Sequence, residues 1–278
     1  MLNRSRIALN RIVYPAVGLD EFFAITAELG LGKVELRNDL PGGRIIDDLA
    51  PGEVKRLAAA HRIQILTINA LQKFNLPSNL SKATRELEDL LDLARSIECR
   101  AIVLCPNNDT ADTRSAEQSL GDTVAALKAF RSRFEGSGIL GYVEPLGFPE
   151  SSLKSLLTAS QAIRDAGGGC YRMVYDTFHH YLGPDEAVDI ERKLDVGLVG
   201  LVHASGVEAG VDKAAMRDAH RVLVTAGDRM GNVEQIRRLL ARGYAGDVSL
   251  EPFSEAVQRL ERKAFLEEAR KAIDLLTR

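Results

Sequence analysis

The feature of this sequence that most constrains its fold is a regular alternation between short apolar runs and longer stretches with helical periodicity. Eight such runs begin near residues 6, 33, 63, 101, 139, 172, 198 and 247. Each run is continuously apolar, which is typical of parallel strands that are buried on both faces. Helices are predicted between and after them over residues 19–29, 51–61, 81–96, 116–134, 152–166, 184–193 and 254–276. The alternation therefore predicts an α/β fold.

Two observations favour a closed (β/α)8 TIM barrel over an open, doubly wound sheet. The first strand is followed by residues 10–15, Asn-Arg-Ile-Val-Tyr-Pro, where a dinucleotide-binding sheet would carry a Gly-rich phosphate loop. Polar residues also stand at the carboxyl ends of many strands, where barrels keep their chemistry. Because no Pro/Gly/Ser-rich linker divides the chain, residues 1–278 are predicted to form a single barrel domain.

Composition excludes several classes of protein. The 36 Lys and Arg residues against 39 Asp and Glu residues give a net charge of −3, which argues against nucleic-acid binding. No apolar run approaches the roughly 20 residues that span a bilayer, and no secretory signal is visible. The three cysteines (Cys99, Cys105 and Cys170) lack metal-binding spacing, so free thiols in a reducing cytoplasm are expected. A homo-oligomer contact is possible through the C-terminal helix and the loop over 208–231.

Four polar side chains come first after the apolar runs of strands five to eight: Glu144, Asp176, His203 and Glu251. In a closed barrel they would converge on one mouth. Three carboxylates and an imidazole would repel one another unless a cation lay between them. One carboxylate after a strand is more often a helix cap or a loop salt bridge, but four consecutive strands with such residues favour a metal site. Mixed oxygen and nitrogen donors suit Mn²⁺, Mg²⁺, Co²⁺ or Zn²⁺.

These strand ends carry a family resemblance. Glu144-Pro145, Asp176-Thr177-Phe178-His179, His203 and Glu251-Pro252 resemble the corresponding motifs of the xylose-isomerase-like TIM-barrel family of sugar isomerases and epimerases. Within that family, the stretches over 68–71 and 218–223 are most similar to those of inosose (2-keto-myo-inositol) isomerases of inositol catabolism. The resemblance covers most of the chain, from about Leu9 to Phe253.

The resemblance implies roles for five residues. Glu144, Asp176, His203 and Glu251 would bind the metal, Glu144 and Glu251 would also transfer protons, and His179 would contact the substrate oxygen beside the metal. This set suits the movement of a carbonyl along a polyol, which removes a proton from the carbon next to C=O and returns one elsewhere through an enediolate. The metal would act as a Lewis acid, the two glutamates as base and acid, and His179 as a hydrogen-bond donor to the oxyanion.

Other polar residues near strand ends are candidates for contact with a polyol or sugar substrate. Glu35 and Arg37 flank the end of strand two and either contact the substrate or form a structural salt bridge. Asn69 ends strand three and either bonds a sugar hydroxyl or forms a turn. Arg221 follows strand seven and either reaches the substrate or pairs with Asp218 or Asp228. Cys105 is interpreted as a small buried hydrophobe.

Alternatives remain within the family and outside it. A ketose 3-epimerase or a hydroxypyruvate isomerase would use the same ligands, although Ala209 stands where 3-epimerases of this family carry an arginine. An endonuclease IV-like phosphodiesterase would need several zinc ions and further histidine ligands, whereas the chain has five histidines. A non-catalytic sugar-binding barrel is the last alternative, and the presence of both Glu144 and Glu251 favours catalysis over it.

Overall fold

The computed structural model describes residues 1–40 and 42–278 and shows a closed barrel of eight parallel strands. The strands are β1 (Ile7–Asn10), β2 (Lys33–Arg37), β3 (Gln64–Leu71), β4 (Ala101–Leu104), β5 (Leu140–Val143), β6 (Tyr171–Asp176), β7 (Val199–Ala204) and β8 (Asp247–Leu250). Each pairs with its neighbour in the chain, and β8 closes the circle by pairing with β1. The predicted (β/α)8 TIM barrel is confirmed.

The helices of the described residues surround the barrel. They are α1 (Leu19–Glu28), α2 (Pro51–His61), α3 (Leu80–Ser96), α4 (Ala116–Ser137), α5 (Leu156–Asp165), α6 (Thr177–Leu182), α7 (Ala187–Lys193), α8 (Asn232–Ala241), α9 (Glu255–Gln258) and α10 (Arg262–Thr277). No described helix is both long enough and apolar enough to cross a membrane.

The helices differ from the sequence prediction at three places. The helices α6 and α8 were not predicted, and the single C-terminal helix expected over 254–276 is divided into α9 and α10. The division falls where α9 ends at Gln258 and Glu261 takes the extended backbone of an N-cap for α10. Apolar periodicity continues through this break and hides it from a reading of the sequence.

Alternation along the strands divides the core into an inner and an outer part. On β1, Ala8 belongs to a small cluster with Leu66, Val103 and Val174 of other strands, whereas its neighbours Ile7 and Leu9 belong to the large cluster shared with the helices. Since successive side chains of a strand point to opposite faces, the small cluster fills the barrel and the large one lies between barrel and helices.

The connection between β7 and α8 folds back over the carboxyl end of the barrel. A two-stranded antiparallel ribbon pairs Gly206–Val207 with Arg221–Val222 and encloses residues 208–220, which we call the cover. Met216 of the cover is fully buried against Phe148 and Phe178. Part of the loop proposed for contact between protomers therefore packs on its own barrel, and the oligomeric state stays a prediction.

Gly147 lies so close to α6 that a larger residue would not fit. A Cβ atom there would overlap the carbonyl oxygen of His179 and lie 2.9 Å from the nitrogen of Gly183. We expect Gly147→Ala to lower the free energy of unfolding by about 1–3 kcal/mol, because α6 must move to admit the methyl group. Chemical denaturation measures this. The matched control is Gly121→Ala in α4, where an added Cβ atom meets nothing within 4 Å. Its free energy of unfolding should rise by about 0.5–1 kcal/mol, because Ala favours a helix over Gly. Equal stability of the two variants would contradict the expectation.

Candidate metal centre

Strand register and strand ends bring the four predicted ligands together. Asp176 at the end of β6 pairs in register with His203 of β7, while Glu144 and Glu251 directly follow β5 and β8. One ligand atom from each residue lies within 4.8 Å of those of the other three. All four side chains are buried, with at most 4% of each residue exposed. The structure thus gathers the set that the sequence analysis proposed.

His203 lies at the centre of this group. Its Nδ1 atom is 2.7 Å from Glu144 Oε1, 3.1 Å from Glu251 Oε2 and 3.8 Å from Asp176 Oδ2. Burial alone would lower the pKa of His203, but the carboxylates of Glu251, Glu35 and Glu144 raise that pKa well above its ordinary value. A proton on this ring therefore takes the place that a cation would occupy, and metal binding would release it.

Asp176 uses its two oxygens for different purposes. Oδ1 accepts hydrogen bonds from the backbone nitrogens of Phe178 and His179 and so caps α6. Oδ2 accepts a bond of 2.6 Å from Arg221 and faces the centre. The helix-cap and metal-ligand interpretations of this residue are therefore compatible.

Glu251 has both carboxylate oxygens engaged by cationic or amide donors. Oε1 accepts bonds from Arg37 Nη1 at 2.6 Å and Asn10 Nδ2 at 3.1 Å, and Oε2 accepts one from Arg221 Nη2 at 2.9 Å. Burial alone would raise the pKa of Glu251, but His203 and the arginines hold it well below the ordinary value. Glu251 is consequently a fixed, ionised group.

Glu144 is held more loosely. Beyond the contact with His203, its Oε2 accepts only a long hydrogen bond of 3.6 Å from the thiol of Cys105, and no described arginine bonds it. Burial raises the pKa of the Cys105 thiol well above its ordinary value, so the thiol stays protonated and donates. Cys105 lies in the small cluster inside the barrel, as expected of a buried hydrophobe, and also contacts a candidate ligand.

Arg221 makes more contacts than the sequence predicted. It bonds Asp218 at 3.2 Å, one of the two expected partners, but also Ser205, Asp176 and Glu251. The other expected partner, Asp228, instead accepts hydrogen bonds from Asn232 at the start of α8. Arg221 thus joins the cover to two candidate ligands.

Arg37 is a second buried arginine at the centre. It forms two hydrogen bonds of 2.7 Å with Asp39 and one with Glu251, and its guanidinium lies 4.9 Å from the ring centroid of Phe253. Arg37 therefore forms a buried salt bridge in the free protein, which is one of the two roles expected for it from the sequence.

Glu35 and Asn69 are turned towards each other and away from solvent. Asn69 donates to Glu35 at 3.0 Å, and Glu35 also contacts His203 at 3.1 Å. Burial alone would raise the pKa of Glu35, but His203 brings it below the ordinary value. Asn10 donates hydrogen bonds to both Glu35 and Glu251. It was not proposed from the sequence, although it is the first polar residue after strand one, the same position that identified the four candidate ligands on strands five to eight.

His179 lies under the cover on α6. Its Nδ1 atom is buried and has no hydrogen-bond partner among the described residues, and its Nε2 atom is 4.0 Å from Asp218 of the cover. The rings of Phe148 and Phe178 pack edge-on against the imidazole with centroids at 5.0 and 5.4 Å. The apolar walls thus fix the ring, and Nδ1 has the capacity for one further hydrogen bond.

The balance of charge at the centre fits a divalent cation. Four buried carboxylates (Glu35, Glu144, Asp176 and Glu251) face two buried guanidinium groups, those of Arg37 and Arg221. The excess of negative charge has the magnitude of one divalent ion when His203 is neutral. Three carboxylate oxygens and one imidazole nitrogen are also a donor set that such ions accept.

Comparison with known proteins gives the following results. The family described as "Xylose isomerase-like TIM barrel" matches residues 23–278. A xylose isomerase domain containing protein from Salmonella typhimurium LT2 is 35% identical, with a TM-score of 0.93 over 100% of this chain and 99% of that one. The IolI protein with a bound zinc atom is 18% identical, with a TM-score of 0.88 over 98% of both chains. A D-psicose 3-epimerase with D-tagatose, from Clostridium cellulolyticum H10, is 18% identical, with a TM-score of 0.78 over 98% of both chains. A search of curated proteins gives no significant match.

Proposed function

Because the chain belongs to the xylose isomerase-like TIM barrel family, we propose that it is a divalent-metal-dependent isomerase of a keto-polyol or sugar, of the inosose type. The observation that carries this proposal is the buried group of Glu144, Asp176, His203 and Glu251 at the carboxyl end of the barrel. The zinc atom of the IolI protein and the D-tagatose of the epimerase support it by analogy of fold.

Different residues of this chain would carry out the separate steps that move a carbonyl along the substrate. A bound divalent ion would polarise the carbonyl and offset the negative charge that develops on its oxygen. Glu144, whose Oε2 accepts only a thiol hydrogen bond, would take the proton from the carbon next to the carbonyl. Glu251, ionised in the free protein, would take the proton of the hydroxyl on that carbon and return it to the former carbonyl carbon from the other side of the barrel. The proton held by Glu144 would then pass to the former carbonyl oxygen. His179 would donate a hydrogen bond to the enediolate oxygen. The cover, with Met216 buried over the mouth, would keep bulk water away from the enediolate.

The arrangement favours this function over the phosphodiesterase alternative. Phosphodiester hydrolysis by a cluster of several zinc ions requires several sets of ligands. The part of the chain that the structure describes contains one group of three or more His, Cys, Asp or Glu side chains close enough to share an ion. Glu35, which lies beside that group, is already hydrogen-bonded on both of its oxygens.

Removal of the metal tests the proposal directly. Protein stripped with EDTA is expected to be inactive on a panel of inososes, ketohexoses and hydroxypyruvate, and activity should return when Mn²⁺, Mg²⁺, Co²⁺ or Zn²⁺ is added in turn. NMR in D₂O would show deuterium at the carbon that receives the returned proton, because that proton comes from a substrate hydroxyl that has exchanged with D₂O before binding. Protein that binds no divalent ion, or that exchanges no deuterium into any of these compounds with every ion, would contradict the proposal.

A further inference from the structure

We infer that Glu35 is a positioning residue that fixes the tautomer and orientation of His203, so that the Nδ1 lone pair of the imidazole faces the candidate metal centre. The inference rests on the proposed function, because it concerns the same centre. It replaces substrate contact, which the sequence analysis had offered for Glu35, with a role exercised through another residue.

Glu35 lies on the opposite side of the imidazole from the candidate ligands. Its Oε2 atom is 3.1 Å from Nε2 of His203, whereas Glu144 and Glu251 approach Nδ1 at 2.7 and 3.1 Å. An imidazole binds a metal ion through one ring nitrogen, and the other carboxylates surround Nδ1. Glu35 is therefore a partner of the second nitrogen, outside the ligand set.

The remaining contacts of Glu35 decide the direction of this hydrogen bond. The amide nitrogens of Asn10 and Asn69 donate to its oxygens at 3.2 and 3.0 Å. The hydroxyl of Thr67 lies 2.6 Å from Oε2 and itself accepts a bond from Asn69, so its own hydrogen is free to donate to Glu35. Surrounded by donors, the carboxylate acts as an acceptor, and Nε2 of His203 must donate to it. When a cation replaces the proton on Nδ1, His203 keeps its proton on Nε2, and the Nδ1 lone pair faces the cation.

Strand register builds this arrangement into the barrel. Asn10 of β1 pairs with Glu35 of β2, and Glu35 pairs with Thr67 of β3, so the three side chains lie at one level of adjacent strands. Glu35 and Thr67 are completely buried. Three of the four polar contacts of Glu35 fall on Oε2 and one, from Asn10, falls on Oε1, so both oxygens are held by neighbouring side chains.

Metal titration of the full chain tests the inference. After EDTA treatment, isothermal titration with Zn²⁺ is expected to show that Glu35→Gln binds about 10- to 100-fold more weakly than the wild type, as is usual when the partner of a ligating histidine is lost. Thr67→Val removes one donor to Glu35 and should weaken binding less, in the same direction. The matched control is Thr26→Val, which removes a fully buried hydroxyl bonded to the backbone of α1 and should leave the affinity unchanged.

A spectroscopic measurement separates positioning from a merely structural role. In ¹⁵N-histidine NMR spectra of the Zn²⁺-loaded wild type, His203 is expected as the Nε2–H tautomer, and the visible spectrum of the Co²⁺-loaded protein should change in Glu35→Gln. Unchanged Zn²⁺ affinity and an unchanged Co²⁺ spectrum in this variant would overturn the inference, whereas a wild-type chain that binds no metal would overturn the proposed function itself. If Glu35→Gln does not fold, as its metal-free melting temperature would reveal, Thr67→Val decides by the same measurements.

Discussion

Glu144→Gln is expected to lower kcat by about 10²- to 10⁴-fold, the usual contribution of a positioned proton-transfer group. The amide cannot accept the substrate proton, but its oxygen remains as a ligand, so the affinity for the metal should fall little. The expectation depends on the weak hydrogen bonding of Glu144, whose Oε2 accepts one long bond of 3.6 Å from the thiol of Cys105. Steady-state kinetics on the substrate found with the panel, together with Zn²⁺ titration, measures both effects.

The matched variant at the other glutamate should behave differently. Glu251→Gln is also expected to abolish turnover, but it would retain the metal only in part, because its amide nitrogen replaces one of the two oxygens that now accept bonds from Arg37 and Arg221 and cannot accept that bond. Glu150→Gln, further along the same loop as Glu144 and half-buried, should have neither effect. Normal turnover by Glu144→Gln would overturn proton transfer by this carboxylate.

The fold and the candidate ligands were predictable because both depend on local patterns. Short apolar runs indicate buried parallel strands wherever they occur, and a barrel brings the residue after each strand to a common mouth. Glu144, Asp176, His203 and Glu251 follow from this geometry alone. Asn10 follows from it as well. The helix α8 also had a readable signal, since Val233, Ile236, Leu239 and Leu240 recur with helical periodicity.

The partners of these residues were not predictable, because they depend on contacts between distant segments. Arg221 reaches Asp176 only because the ribbon of residues 206–207 and 221–222 turns the chain back over the barrel. The direction of the Glu35 side chain depends on the register of β1, β2 and β3, which short apolar strands do not encode. The pairing of buried acidic and basic side chains is thus set by the closed barrel and cannot be read from the sequence.

Arg221→Leu should have the largest effect on stability. The guanidinium is completely buried and bonds Asp176 at 2.6 Å and Glu251 at 2.9 Å. Removing one partner of a buried ion pair typically costs about 3–5 kcal/mol, because the remaining charges stay buried without compensation. We therefore expect the metal-free variant to lose about that much free energy of unfolding, measured by chemical denaturation in EDTA.

A divalent cation should restore much of this loss, because it would place positive charge beside the same two carboxylates. Denaturation with excess Mn²⁺ is therefore expected to show a larger stabilisation by metal in Arg221→Leu than in the wild type. Arg217→Leu is the matched control on the cover, since Arg217 is exposed and contacts backbone carbonyls and the ring of Phe148 instead of the carboxylates. Equal stabilisation by Mn²⁺ in all three proteins would mean that Arg221 and the metal do not share the charge of Asp176 and Glu251.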